Sequence, residues 1–441
     1  MQKLSRKNTL FVSLTLFSLF FGAGNLIFPP FLGESSGSHT MLSLAGFYIT
    51  AVCFPIFAVI AISKHRGLFP LASKVHPKFA LVFTFLIYLS IGPLLGIPRA
   101  GSLPFEMAVA PFLGSLARYQ QIGLFLFTFV FFTIAYFISK NPTKLVDRMG
   151  KVLTPLLLVL MIIVFVGSFI KPFDGFTTPI GNYQTTPFVQ GFLDGYLTMD
   201  TIAALNFGLV IAQIIQSLGI TEESDVVKNT VRSGLFAGVL LMIVYGSLAY
   251  LGALSGHAYG YSEHGAQTLA HIITHIFGPV GVLLLAIIFT LACLTTSVGL
   301  ITSCSQYFSS KTRYSYKNWV IAISIWSFIT SNLGLSKILK ISVPLLEAIY
   351  PIAMVLIVLS FLELFAELKH SVYKATIGVT TLMSMVSIID VYVFTNGSLL
   401  KGVPLNGQGL AWVVPAVISF VLIQMNHSFK DKKKNATTVH S

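Results

Sequence analysis

The chain has 441 residues, 55% of them apolar and only 10% charged, whereas a soluble globular domain carries about 25% charge. With a mean hydropathy of +0.82 it has no stock of residues for a water-facing surface. This excludes an ordinary soluble enzyme, a disordered chain and a disulfide-rich secreted domain. The net charge of +13 does not point to nucleic acid, because the basic residues fall in short connections and tails between apolar runs.

A membrane helix needs about 20 mostly apolar residues. Runs of that kind predict an all-α polytopic membrane protein with about twelve spans, at 8–31, 40–62, 79–110, 121–139, 152–170, 192–218, 233–254, 277–305, 318–334, 342–365, 375–396 and 409–427. The first follows Lys3, Arg6 and Lys7 as a signal peptide would. Its apolar sequence runs on through Phe31 without a small-residue cleavage site, so it reads as a retained helix. It contains Phe-Gly-Ala-Gly-Asn-Leu-Ile-Phe-Pro-Pro at 21–30, and Gly22, Gly24, Asn25, Pro29 and Pro30 suit an unbroken helix poorly. The third span is interrupted by Pro93, Pro98 and Pro104; its Arg99 either pairs with Glu106 or sits at the outer interface. The fifth, 152–170, contains no Lys, Arg, Asp, Glu or His. The sixth carries a second expected break, Ala204-Leu205-Asn206-Phe207-Gly208, about six residues after Asp200.

The outer loop before the eighth span holds His257, His264, His271 and His275. They read as a solvated loop, since no His-Glu-x-x-His pattern accompanies them. The eighth span reads Leu291-Ala292-Cys293-Leu294-Thr295-Thr296-Ser297, whose hydroxyls either bond back to the helix or offer oxygens to a hard cation. Ionisable groups inside membrane segments are functional candidates by default. Asp200, by the entry path, and Glu347, before Pro351 in the tenth span, are possible proton carriers, while Asp390 is expected to be hydrated at an outer helix end. Cys53, Cys293 and Cys304 lie apart in apolar segments and read as small core residues.

Lys and Arg concentrate on the cytoplasmic side of membrane proteins. With the N-terminus inside, cytoplasmic segments hold 22 of the 28 such residues, including the tail Lys430, Lys432, Lys433 and Lys434. The outer side keeps Arg118, Lys171, Lys337, Lys340 and Lys401. Both termini are therefore expected in the cytoplasm.

The two interrupted spans stand five helices apart and run in opposite directions. Unwound backbone within a membrane is tolerated only where it lines a protein cavity. Paired breaks at corresponding positions of inverted repeats mark a substrate site near the midplane. Half-helix N-termini offer N–H groups and a positive dipole end to an anion, and the facing C-termini offer carbonyls to a cation. A zwitterionic amino acid suits both. No Gly-x-x-x-x-Gly-Lys phosphate loop, nucleophile elbow, catalytic triad or redox pair is evident, so the chain reads as a carrier and not an enzyme, with no cofactor.

Residues 21–33, with Phe31-Leu32-Gly33 completing the stretch above, resemble the first-helix motif of the bacterial branched-chain amino acid:cation symporter family. The run Gly195-Tyr196-Leu197-Thr198-Met199-Asp200 with Ala203-Ala204 and Phe207-Gly208 is similar to that family's sixth helix, and the twelve-span layout extends the resemblance over nearly the whole chain. The resemblance implies a LeuT-type fold: a first five-helix repeat at 8–170, an inverted second at 192–365, two added helices at 375–427 and a basic cytoplasmic tail at 428–441. It also implies import of leucine, isoleucine or valine with a cation through the bacterial cell membrane, with the lipid bilayer as surroundings and neither nucleic acid nor an obligate protein partner. Substrate would lie on Gly22, Ala23, Gly24 and Asn25, with Asn206, Phe207 and Gly208 as further pocket candidates. A sodium ion would be held by Ser18, Phe21, Ala292, Thr295 and Thr296. Proton-coupled relatives place a lysine from helix five where sodium sits; its absence here favours sodium and leaves open a proton carried by another group. A carrier of a different small amino acid or zwitterion is the alternative, ahead of a channel or membrane-embedded enzyme.

Overall fold

The structure, a computed structural model, describes residues 2–110, 119–173, 175–363, 365–392, 394 and 399–438. Arg118 and the last residues of the basic tail lie outside them. Among the described residues all regular structure is helical, as the composition predicts. In chain order the first α-helices are α1 (Arg6–Phe20), α2 (Ala23–Ser36), α3 (Thr40–Tyr48), α4 (Phe54–His65), α5 (Leu68–Ser73), α6 (Pro77–Leu89), α7 (Gly96–Ala108), α8 (Gln120–Ser139) and α9 (Thr154–Ile170). The rest are α10 (Pro187–Tyr196), α11 (Asp200–Ser217), α12 (Glu223–Tyr259), α13 (Gly265–Phe277), α14 (Val280–Lys311), α15 (Tyr316–Ser331), α16 (Leu335–Leu362), α17 (His370–Tyr392) and α18 (Val413–Thr438).

Nine helical stretches among the described residues are long and apolar enough to cross a membrane. The remaining three of the twelve expected spans correspond to α1, with 15 residues, α15, with 16, and the apolar part of α18, Val413–Asn426. Proline shapes the long spans. Pro55 and Pro155 sit in the first turns of α4 and α9, and each follows a π-helical segment, Ile49–Cys53 and Val146–Leu153. A residue with no N–H to give shifts the preceding hydrogen bonds by one register. A third π segment, Ser90–Leu94, contains Pro93 and a non-helical Gly92 (φ −85°, ψ −122°), and there the third span kinks between α6 and α7.

The chain packs as two compact units. One holds the residues up to Gly67 together with Ile87–Lys340; the other holds Leu68–Leu86 and the chain from Ile341 onward. In the first unit α2 lies along α12, α3 along α10, α4 along α11 and α7 along α14. The α2–α12 contact is close: a Cβ on Gly33 would fall 1.8 Å from the Ala249 carbonyl oxygen, and one on Gly252 would fall 1.9 Å from that of Pro30. Buried Glu34 fastens the end of α2 to the approach of α13. Its carboxylate accepts the Ser262 N–H (3.2 Å), Ser262 Oγ (2.9 Å) and Thr268 Oγ1 (2.7 Å). The loop histidines serve local structure. His264 caps α13, His271 stacks on Tyr259, and His275 lies between Tyr259 and Phe173.

In the second unit α17 packs on α18, and the buried ends are tied by charge. Lys74 pairs with Glu363 at 2.5 Å. Asp390 is not hydrated as expected: it is buried, and its two oxygens accept the N–H groups of Leu399 and Leu400, each at 3.1 Å.

Candidate functional site

The first expected break is present. α1 stops at Phe20, Phe21 leaves the helical conformation (φ −72°, ψ 84°), Gly22 is extended (φ −108°, ψ −163°), and α2 restarts at Ala23. The Phe21 N–H still reaches the Phe17 carbonyl at 2.8 Å. The Gly22 N–H instead donates to Asn25 Oδ1 at 3.0 Å. The last carbonyls of α1 are thereby released from helical pairing, as are the first N–H groups of α2.

The second break is real but displaced. The sequence places it at Ala204–Gly208; in the structure α10 ends at Tyr196 and α11 begins at Asp200, with Met199 left-handed (φ 70°) between them. Asn206, Phe207 and Gly208 lie inside continuous α11 and away from the cavity described below. Phe207 packs edge-on against Phe20 at 5.8 Å, and Gly208 abuts Ile62. The side-chain oxygen and nitrogen of Asn206 are buried without a hydrogen-bond partner among the described residues, next to Ser303, whose Oγ donates to the Asn206 carbonyl at 3.3 Å. The expectation failed because Asn and Gly within an apolar stretch resemble a break, whereas Leu197-Thr198-Met199 carries no breaker residue at all.

The two true breaks meet at Asp200. This buried first residue of α11 accepts from Asn25 Nδ2 on Oδ2 at 2.5 Å and from Tyr245 Oη at 3.3 Å. Asn25 Nδ2 also donates to Tyr245 Oη at 2.5 Å. Asp200 thus forms the joint between α2, α11 and α12. Glu347, the other ionisable candidate, accepts from Tyr392 Oη at 3.0 Å in the second unit.

A cavity opens at this joint. Its walls are Leu19 and Phe20 from α1, Gly22–Asn25 at the break, and Thr198, Met199, Asp200 and Ala203 at the α10–α11 break. The kinked third span adds Ile91, Gly96, Arg99 and Ala100, and α14 adds Thr296 and Leu300. The space open to the centre of a water-sized sphere is about 50 Å³, enough for a few waters. A whole amino acid requires the surrounding helices to part. The wider groove between α8 and α15, about 500 Å³, is walled mainly by aromatic and aliphatic side chains and holds no charged group, so it offers nothing for a zwitterionic head group.

Of the cation candidates Ser18, Phe21, Ala292, Thr295 and Thr296, Thr296 lines the cavity. Thr296 Oγ1 is buried with no hydrogen-bond partner among the described residues, and a Cβ on Gly22 would lie 2.9 Å from it. Thr295 Oγ1 bonds back to the Ala292 carbonyl at 2.9 Å. Ser18 is buried in the last turn of α1 with its Oγ donating to the Thr15 carbonyl at 2.8 Å, and Phe21 is the residue at the break. Sequence reasoning missed two parts of the site. Tyr245 gives no signal, being one tyrosine in a long apolar helix. Arg99 does give one, as a charge inside a span, but the kink that turns it to the cavity is not legible in the prolines.

Residues 5–430 match the model of the family described as branched-chain amino acid transport protein. The chain belongs to this family. It is 39% identical over 422 residues to the branched-chain amino acid permease BraB of Bacillus subtilis, covering 94% of each chain. It is also 39% identical over 412 residues to the branched-chain amino acid transport system 2 carrier protein of Pseudomonas aeruginosa, covering 92% of this chain and 93% of that one. Among solved structures it is similar to Mhp1, a nucleobase-cation-symport-1 family transporter in a closed conformation (TM-score 0.61, 14% identity, 94% and 90% of the two chains). It is also similar to MhsT in complex with L-phenylalanine (TM-score 0.52, 15% identity, 96% and 99%). The fold is therefore LeuT-type, and the protein is a multi-pass branched-chain amino acid transport carrier, not an enzyme.

Proposed function

We propose that this protein imports leucine, isoleucine and valine through the bacterial cell membrane by symport with a cation, sodium in preference to a proton, with both termini in the cytoplasm. The observation that carries the ion assignment is Thr296 Oγ1, buried beside the α1–α2 break with no hydrogen-bond partner among the described residues. A buried polar atom left unsatisfied costs about 1–3 kcal/mol, and a hard cation bound through oxygens offsets that cost. The carbonyls of Ser18, Phe21 and Ala292 and the hydroxyls of Thr295 and Thr296 form the proposed ligand set. Sodium there ties α1 to α14. The substrate head group then lies on Gly22, Ala23, Gly24 and Asn25, with the branched side chain against Phe20, Ile91 and Leu300 on the cavity wall. One bundle rocking against the other exposes this site to one side at a time.

A second reading rests on Asp200, a carboxylate buried in the same cavity and bonded to Asn25 and Tyr245; there a proton on Asp200 replaces the sodium ion. Glu347 is the alternative proton carrier. Binding of labelled leucine to purified protein, measured in sodium and in choline at each of several pH values, separates these readings. The sodium reading expects affinity to fall at least tenfold in choline, and Thr296→Ala to reproduce that loss in sodium. Affinity that ignores sodium and follows pH, with the pH response abolished by Asp200→Asn, supports the proton reading instead.

A further inference from the structure

Arg99 is the one cationic side chain among the residues that wall the cavity, and Asp200 the one anionic side chain. They approach from different elements: Arg99 follows the kink of the third span, and Asp200 opens α11. Either charge alone inside a membrane span is costly. Together, across one small cavity, they leave it neutral. The surroundings of each group differ in kind. Asp200 is held by neutral donors, Asn25 Nδ2 and Tyr245 Oη. Arg99 Nη1 lies 2.8 Å from Met199 Sδ.

We propose that Arg99 and Asp200 form a zwitterion clamp, in which the forked guanidinium of Arg99 takes the substrate's α-carboxylate and the Asp200 carboxylate takes its α-ammonium. The inference rests on reading this cavity as the amino-acid site. An arriving zwitterion brings one negative and one positive group to two opposite charges, so no net charge is buried. Arginine offers paired parallel N–H donors to a planar carboxylate, which lysine does not. Arg99 shares the carboxylate with the N-terminal N–H groups of α2. Asp200 shares the ammonium with the released carbonyls at the end of α1. A ligand lacking either charged group leaves one clamp residue without its counter-charge, so amino-acid amides and 2-oxo acids of the same side chain are rejected.

The test is competition against labelled leucine bound to purified protein, using leucine, leucinamide and 4-methyl-2-oxopentanoate. For the unmodified protein, leucine is expected to compete at least a hundredfold better than either analogue. Arg99→Gln should weaken leucine at least tenfold while leucinamide changes little, so that discrimination between the two collapses. Asp200→Asn should do the same for the 2-oxo acid. Arg99→Lys should keep partial discrimination. If Arg99→Gln discriminates against leucinamide as the unmodified protein does, the clamp is wrong while the amino-acid site stands. If the unmodified protein binds no leucine, the underlying reading fails. Should Arg99→Gln not yield a monodisperse protein, the analogue series on the unmodified protein and Arg99→Lys decides: equal competition by leucine and leucinamide overturns the proposal.

Discussion

At the scale of single residues the site is a small set of polar atoms held among apolar neighbours. Asn25 spans the α1–α2 break: its Oδ1 takes the Gly22 N–H and its Nδ2 reaches Asp200 and Tyr245. Asn25→Ala removes the acceptor of the Gly22 N–H, at a cost of about 1–3 kcal/mol for a buried group left unpaired, and one hydrogen bond each from Asp200 and Tyr245, which keep each other. It is therefore expected to lower thermal stability and to abolish leucine binding, both measurable on detergent-purified protein. Thr296→Ala is a milder change, since its hydroxyl has no hydrogen-bond partner among the described residues. It should leave stability within about 1 kcal/mol and raise the sodium concentration for half-maximal uptake at least fivefold, read from sodium titrations of uptake rate. An unchanged sodium response in a folded Thr296→Ala protein removes Thr296 from the ion site.

At the scale of elements the account rests on two interrupted helices clasped by long continuous ones. Glycine permits the clasp, because the α2–α12 contact brings the Gly252 Cα against the Pro30 carbonyl. Gly252→Ala places a methyl 1.9 Å from that oxygen, which forces the helices apart, and overpacking of this kind costs roughly 1–3 kcal/mol. The expected result is a lower unfolding temperature together with weaker leucine binding, because α2 carries the start of the site. The first break was legible in the sequence, since Gly22, Gly24, Asn25 and the Pro29–Pro30 pair all disfavour an uninterrupted helix. The second was misplaced by several residues. Its Met199 takes a left-handed conformation that its residue type does not advertise, in a turn closed by the Met199 N–H on the Tyr196 carbonyl at 3.0 Å and Thr198 Oγ1 on the Gly195 carbonyl at 2.9 Å. The kink at Gly92 was equally hidden, because Pro93, Pro98 and Pro104 announce an interruption without saying which way the following helix points. Arg99 was left between two readings for that reason.

At the scale of the whole molecule, the fold class was legible from composition and the apolar runs, because a membrane restricts the chain to helices, and the family from the resemblance carried by two motifs. Orientation was read from the placement of Lys and Arg and has a direct test. Single cysteines at exposed Lys7 and Lys401, introduced as Lys7→Cys and Lys401→Cys, should react differently with an impermeant maleimide on intact cells. Lys401→Cys is expected to label from outside and Lys7→Cys only after permeabilisation. The reverse pattern inverts the topology. The coupling ion is decided most directly by labelled leucine uptake into proteoliposomes under an inward sodium gradient with the proton gradient collapsed. Concentrative uptake that vanishes when sodium is replaced by choline is the predicted result. Accumulation driven by an inward proton gradient and indifferent to sodium would contradict it, leaving Thr295 and Thr296 structural and Asp200 as the coupling group.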